Sequence, residues 1–189
     1  MLFIAMVASN IGMWMQMVGA QWLLIDEPNA TMLIAFIQTA MTLPFAVFAM
    51  PAGILSDNYN RRSILVVVQG VQLVLATVLA ALVARGDLSP TLLLGLLFAL
   101  GSCTAASLIP FQASVADLVP RQQVPMAAAM TGLSANIARA VGPALAGILI
   151  SSLGLPVVFA ANAIGVAVYF VSVLRWRYTP APRLTAREP

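Results

Sequence analysis

Six stretches of about twenty mostly apolar residues follow one another along this chain, separated by short turns that hold most of its charge. A helix needs about 20 such residues to cross the hydrocarbon of a bilayer. Strands of a membrane barrel alternate polar and apolar residues, and these runs do not. The sequence therefore predicts an all-α membrane protein with helices over residues 1–24, 31–55, 63–84, 88–108, 126–153 and 155–174.

Two connecting segments and the end of the chain are polar. Residues 110–125 hold three prolines and two charges, and they are interpreted as a loop with a short surface helix. Ser89 and Pro90 are expected to cap and begin the fourth helix. Residues 1–177 are predicted to form one bundle. Residues 178–189 are interpreted as a cytoplasmic tail or the start of a linker.

The composition argues against most other classes of protein. Hydrophobic residues make up 61% of the chain and charged residues 8%, against about 25% charged residues in a soluble domain. Histidine is absent and Cys103 is the only cysteine, so no metal centre or cofactor is expected. An enzyme is disfavoured for the same reason, although Cys103 between Ser102 and Thr104 stays open as a nucleophile.

The positions of the nine basic residues, all arginines, indicate the orientation. One side of the predicted bundle carries Arg61, Arg62, Arg121, Arg175, Arg177, Arg183 and Arg187. The loops of the other side carry only Arg85. Because short loops rich in arginine stay on the inner side of a membrane, both termini are expected in the cytoplasm. Arginines this few, and mostly at the ends of apolar runs, do not suggest nucleic-acid binding.

Arg139 lies near the middle of the fifth predicted span. A charged side chain there costs at least about 2.5 kcal/mol, so it is expected to face a bundle interior or an aqueous cavity. It could anchor an anionic or catechol-like group or couple to proton movement. Alternatively, it clips helices together by bonding to carbonyl and amide groups. Gly132, Asn136, Pro143 and Gly147 share its helical stripe. The small residues of this stripe are expected to allow close helix approach, and Asn136 lies one turn from Arg139.

A second stripe, on helix one, combines polar and aromatic side chains at helical spacing: Asn10, Trp14, Met17 and Gln21. Such a stripe suits the wall of a cavity for an amphipathic solute. The alternative is hydrogen bonding between helices, with Trp14 as a packing residue. Weaker candidates are Gln38 on helix two and Ser102, Thr104 and Ser107 on helix four. Hydroxyls at such positions often bond back to their own helix.

Residues 53–62 read GILSDNYNRR and follow the second predicted span. This segment resembles the signature of the major facilitator superfamily between helices two and three. Asn58 stands where that signature has a basic residue. Asn60 stands where it has a second glycine, and asparagine is expected to tolerate the left-handed backbone of the turn.

Two further segments resemble the bacterial secretion-effector branch of this superfamily, which is similar to enterobactin and macrolide exporters. Residues 9–23 resemble its helix one and residues 136–147 its helix five. Residues 138–147 also resemble the antiporter motif, with Gly142, Pro143 and Gly147 at matching positions.

The resemblance implies the N-terminal half of a twelve-helix transporter, built from two inverted three-helix repeats. Its partner would be a C-terminal half or a second copy. Helices one and four would line the cavity, and Gly53, Asp57, Arg61 and Arg62 would form a cytoplasmic gate. The two arginines could instead only obey the positive-inside rule.

The function that the resemblance implies is ion-coupled export of a small amphipathic solute, siderophore-like or drug-like, from a bacterial inner membrane. The sequence places no Asp or Glu at mid-span to carry a proton. The alternative is a six-helix membrane scaffold that does not transport. Such a scaffold should have no water-filled cavity, and Arg139 should be fully satisfied by protein groups.

Overall fold

The computed structural model describes residues 2–118 and 120–175, so the predicted tail at 178–189 lies outside the described residues. Six long α-helices account for most of them: α1 (Leu2–Leu23), α2 (Ala30–Asn58), α3 (Arg61–Arg85), α4 (Pro90–Leu118), α5 (Val124–Leu153) and α6 (Pro156–Arg175). One 3₁₀ turn, Arg121–Gln123, precedes α5. Each of the six helices is long and apolar enough to cross a membrane, which confirms the predicted number of spans.

Local capping defines several helix ends. The Ser89 hydroxyl accepts a hydrogen bond from the Leu92 N–H (3.3 Å), so Ser89 caps α4 and Pro90 begins it, as expected. Gly86 ends α3 with φ 76°, a left-handed conformation that a residue without a Cβ adopts readily. Asn60 differs from expectation. Its backbone is extended (φ −66°, ψ 114°), and its side chain caps α3 by accepting from the Arg62 N–H.

The expected loop at residues 110–125 was wrong over its first part. α4 continues through Pro110 to Leu118. Pro110 is fully buried, so packing holds the helix together across a residue that supplies no N–H. A helix is also free to extend past the hydrocarbon, and hydropathy alone therefore places its end too early.

The helices are joined by contacts in the order α5–α1–α6–α3–α4–α2. α1 packs against α5 and α6, α4 packs against α2 and α3, and α3 packs against α6. Exchanging the first three helices with the last three leaves this pattern unchanged. Because each repeat has an odd number of spans, the two repeats run in opposite directions across the membrane. The fold is thus two inverted three-helix repeats, half of a major facilitator architecture.

The outer faces of the six helices differ in polarity. The exposed positions of α3 and α6 are predominantly aliphatic, as at Val67, Val74 and Ile164. The exposed faces of α2 and α5, at the two ends of the row, also carry the polar side chains Gln38 and Asn136. Aliphatic faces suit contact with lipid, whereas polar groups at mid-span need other partners.

Candidate solute site

The contact between α1 and α5 is close because α5 presents a stripe of small residues to α1. This stripe consists of Ser134, Ala138, Gly142 and Ala146, all buried. A Cβ added at Gly142 would lie 2.6 Å from the Trp14 Cβ and 3.3 Å from the Ile11 carbonyl oxygen. Only glycine fits there, so the backbone of α5 approaches helix one directly.

Arg139 lies beside this stripe, halfway along α5, on the exposed side of the contact. Its guanidinium carbon stands 5.4 Å from the centre of the Trp14 ring, within the range of a cation–π interaction. Within residues 2–118 and 120–175 the guanidinium forms no hydrogen bond. Its N–H donors therefore stay available at the edge of the α1–α5 contact.

The other residues of the predicted cavity do not all meet Arg139. The Asn10 amide nitrogen donates to the Ser134 hydroxyl (3.0 Å), which links α1 to α5. Asn136 is exposed on α5 and Gln38 is exposed on α2. Gln21 is exposed at the far end of α1. The structure thus brings together Asn10, Trp14 and Arg139 along one contact and leaves the other three on open faces.

The stripe expected to allow close helix approach was the wrong one within these six helices. Gly132, Asn136, Arg139, Pro143 and Gly147 are all exposed. A Cβ added at Gly132 or Gly147 would meet no atom of residues 2–118 and 120–175 that the structure describes within 4 Å. α5 carries small residues on two of its faces, and periodicity does not say which face meets α1.

A recess of about 220 Å³ lies among all six helices, with α2 contributing Met41. Its polar lining consists of Ser9, Asn10, Gln16, Gln69, Gln72, Thr104, Ser107, Thr131, Asn162 and Tyr169. Of the predicted cavity set only Asn10 contributes. Drug-sized ligands occupy pockets of about 300–1,000 Å³, so the recess alone is small for such a solute.

Sequence reasoning missed the carboxamides of this recess. Gln16 and Asn162 are buried and hydrogen-bonded to each other, with the Asn162 amide nitrogen donating to the Gln16 oxygen. Gln69 and Gln72 come from α3. A carboxamide inside an apolar span needs a partner, as Arg139 does, and that signal was present in the sequence.

The hydroxyls of α4 bond back to their own helix, the simpler of their two interpretations. Ser102 donates to the Phe98 carbonyl (2.8 Å) and Thr104 to the Leu100 carbonyl (3.0 Å). Cys103, between them, is buried. Both hydroxyl protons are therefore already used, and neither is free to form a hydrogen bond that would assist Cys103 as a nucleophile.

The predicted gate motif lies where α2 ends and α3 begins. The Arg61 guanidinium donates to the Ala113 carbonyl on α4 (3.2 Å). The Arg62 guanidinium donates to the Leu174 carbonyl in the last turn of α6 (2.8 Å). Both arginines thus donate hydrogen bonds to the backbones of neighbouring helices, so they do more than obey the positive-inside rule. Asp57 lies in the last turn of α2, and its side chain is outside the described residues.

Gly53, the first residue of the motif, is partly buried on α2. Of the side chains that the structure describes, a Cβ added there would meet Ile109 on α4, at 4.0 Å. Contact within these six helices therefore does not require glycine at this position.

The geometry can be compared with known proteins. The family model for transmembrane secretion effectors matches residues 1–189. The chain belongs to this major facilitator family. It is therefore a multi-pass membrane protein of a transporter family rather than an enzyme family, and its outer faces contact the lipid bilayer.

A curated relative of this chain is the Staphyloferrin A transporter of Staphylococcus aureus. It is 23% identical over 165 residues, which cover 87% of this chain and 41% of the relative. The chain thus spans less than half the length of that protein. No solved structure matches the chain.

Proposed function

We propose that this chain is the N-terminal half of an ion-coupled exporter that moves a small amphipathic solute out of a bacterial cell by alternating access. Residues 1–177 would form its six-helix transmembrane unit, and residues 178–189 would begin the linker to a C-terminal half. A second copy of the chain could take the place of that half. Both ends of the chain would lie in the cytoplasm, with the protein in the inner membrane.

The observation that carries this proposal is the environment of Arg139. Its guanidinium lies halfway along α5, on an exposed face, with Trp14 beside it and no hydrogen bond from the described residues. Leaving that charge against acyl chains costs at least about 2.5 kcal/mol. An aqueous cavity, or an anionic group of a solute, would remove that cost. A scaffold should instead satisfy the guanidinium with protein groups.

The solute site would combine the Arg139 side of the α1–α5 contact with the recess beside α1 and α4. Asn10, Trp14 and Arg139 would form one wall. Asn136, Gln21 and Gln38 would face the space between the two halves, because they lie on exposed surfaces. The size of the recess supports a solute held partly outside these six helices.

Arg61, Arg62 and Asp57 would form the cytoplasmic gate. The two arginines hold the ends of α3, α4 and α6 together, which would give Asp57 a firm base from which to reach the second half. Gly142 would fix the spacing of α1 and α5, while Pro143 and Gly147 would face the second half. A contact of this kind would favour one of the two access states by its strength there.

The name of the relative suggests a siderophore as the first solute to test. The full-length protein would be expressed in cells loaded with staphyloferrin A or a macrolide, and export would be followed over time. The test variant is Arg139→Gln, with Arg139→Lys to separate charge from bidentate geometry. The matched control is Arg85→Gln, an exposed arginine at the end of α3.

We expect Arg139→Gln to fold at normal yield and to lose about tenfold or more of export, because a charge-assisted hydrogen bond contributes about 1.5–3 kcal/mol. Arg85→Gln should export normally. Loss of folded protein in Arg139→Gln, with normal export per folded molecule, would instead identify the arginine as a structural clip and contradict the proposal.

A further inference from the structure

The floor of the recess contains more hydrogen-bond acceptors than the protein satisfies. Gln69 on α3 and Asn162 on α6 are each 3% exposed, and Gln72 is partly buried one turn beyond Gln69. Among the described residues, Gln69 Oε1, Gln72 Oε1 and Asn162 Oδ1 are buried without a hydrogen-bond partner. Asn162 Oδ1 packs against Gly12 of α1, whereas the two glutamines come from the same face of α3. Unpaired buried acceptors are rare in proteins and point to a missing donor.

The orientation of the Gln69 amide follows from its neighbours. Its Nε2 donates to the Ser107 hydroxyl oxygen at 3.2 Å. The Ser107 hydroxyl uses its own proton on the Cys103 carbonyl at 2.7 Å, so this oxygen can only accept from Gln69. The group left unpaired at Gln69 is therefore the carbonyl oxygen, not the amide nitrogen.

Two other hydroxyls of the lining also have their protons occupied. Thr104 donates to the Leu100 carbonyl and Thr131 to the Ala127 carbonyl. Both hydroxyl oxygens can therefore offer lone pairs, but not protons, to a molecule or ion bound in the recess. Among the lining residues that the structure describes, none is Asp, Glu or Arg. The recess is thus neutral and rich in oxygen acceptors.

We propose that this recess binds a small monocation, an alkali ion or a primary ammonium, through the side-chain oxygens of Gln69 and Gln72. Divalent cations favour carboxylates, which the lining lacks, whereas neutral carbonyl oxygens replace the hydration shell of monovalent ions. A volume of about 220 Å³ holds roughly seven waters at about 30 Å³ each, so a partly hydrated ion fits. The site goes beyond the proposed export function and needs no titrating acid.

The test is thermal unfolding of the purified full-length protein in detergent at constant ionic strength. Chlorides of sodium, potassium, ammonium and methylammonium are compared with that of N-methyl-D-glucamine, a secondary ammonium whose long hexitol chain prevents close coordination by the glutamine oxygens. At least one small cation should raise the melting temperature saturably, by about 3 °C or more. The metal and ammonium series distinguish the two kinds of monocation.

Three variants locate the effect. Gln69→Leu should abolish the shift, and Gln112→Leu, the same change at an exposed carboxamide of α4 outside the recess, should keep it. Gln69→Glu, when ionised, should lower the half-saturating cation concentration about tenfold, since it adds a charge beside the ion. This variant also decides the matter if Gln69→Leu does not fold. The proposal is overturned if no small cation exceeds N-methyl-D-glucamine, which would leave only water in the recess, or if Gln69→Leu responds like the unchanged protein.

Discussion

The guanidinium carbon of Arg139 and the ring of Trp14 stand 5.4 Å apart, and the two residues lie near the middle of adjacent helices. A cation–π pair contributes about 0.5–1 kcal/mol at an exposed site and about 2 kcal/mol when desolvated. The ring therefore both stabilises the charge and fixes the direction of its donors. This arrangement makes Trp14 a positioning residue for whatever binds to Arg139.

Replacing Trp14 by Leu should lower the apparent affinity of the exporter for its solute about tenfold, because the guanidinium loses the ring that orients it. Trp14→Phe keeps an aromatic face and should retain most of the affinity. Export rates measured against internal solute concentration separate affinity from maximal rate. Equal losses in the two variants would show that the cation–π contact is irrelevant to solute binding.

Gly142 and Gly147 offer a matched pair of substitutions on one helix. Gly142→Ala should destabilise the fold by about 1–3 kcal/mol, since its Cβ would lie 2.6 Å from the Trp14 Cβ. Gly147→Ala should leave the free energy of unfolding of these six helices nearly unchanged, because its Cβ would meet nothing within 4 Å. Unfolding in mixed micelles measures both. A Gly142→Ala variant as stable as the parent would refute the close α1–α5 contact.

The buried pair Gln16 and Asn162 should show energetic coupling. Asn162→Leu or Gln16→Leu alone leaves one carboxamide without its partner and should cost about 1–2 kcal/mol. The double variant removes both and should cost less than the sum, with a coupling energy of about 1 kcal/mol. A double-mutant cycle in mixed micelles measures this. Strict additivity would mean that the hydrogen bond between α1 and α6 does not contribute.

Arg62→Ala should loosen the end of α6, because the Leu174 carbonyl lies in its last turn and loses a donor. The expected cost is about 0.5–1.5 kcal/mol. Hydrogen exchange in the last turn of α6 should quicken, whereas Arg85→Ala, at the other end of α3, should leave it unchanged. Unchanged hydrogen exchange in both variants would show that Arg62 does not stabilise the end of α6 and only obeys the positive-inside rule.

The number and type of helices could be predicted from the sequence because hydropathy depends only on local composition. Helix ends were less certain where capping or packing decided them. Asn60 uses its side chain as a cap instead of taking a left-handed backbone. Pro110 stays within α4 because the surrounding packing holds it.

The candidate site was harder to predict because it depends on which face of each helix meets which neighbour. α5 carries small residues on two faces, and only the structure shows that Gly142 packs inside while Gly147 points outward. The carboxamides of Gln69 and Asn162 come from different repeats. Both line one recess because α3 packs against α6, and this packing leaves no local pattern in the sequence.

Helix α1 lies between α5 and α6, and its backbone comes close to both neighbours. A Cβ at Gly12 would lie 2.9 Å from the Asn162 Cα on α6, and the Gly142 backbone of α5 abuts Trp14. Where helix backbones are this close, there are no intervening side chains that could rearrange to let one helix slide along the other. Helices α1, α5 and α6 should therefore move as one rigid unit. Any large displacement during the proposed transport cycle should then occur where this unit meets the other helices.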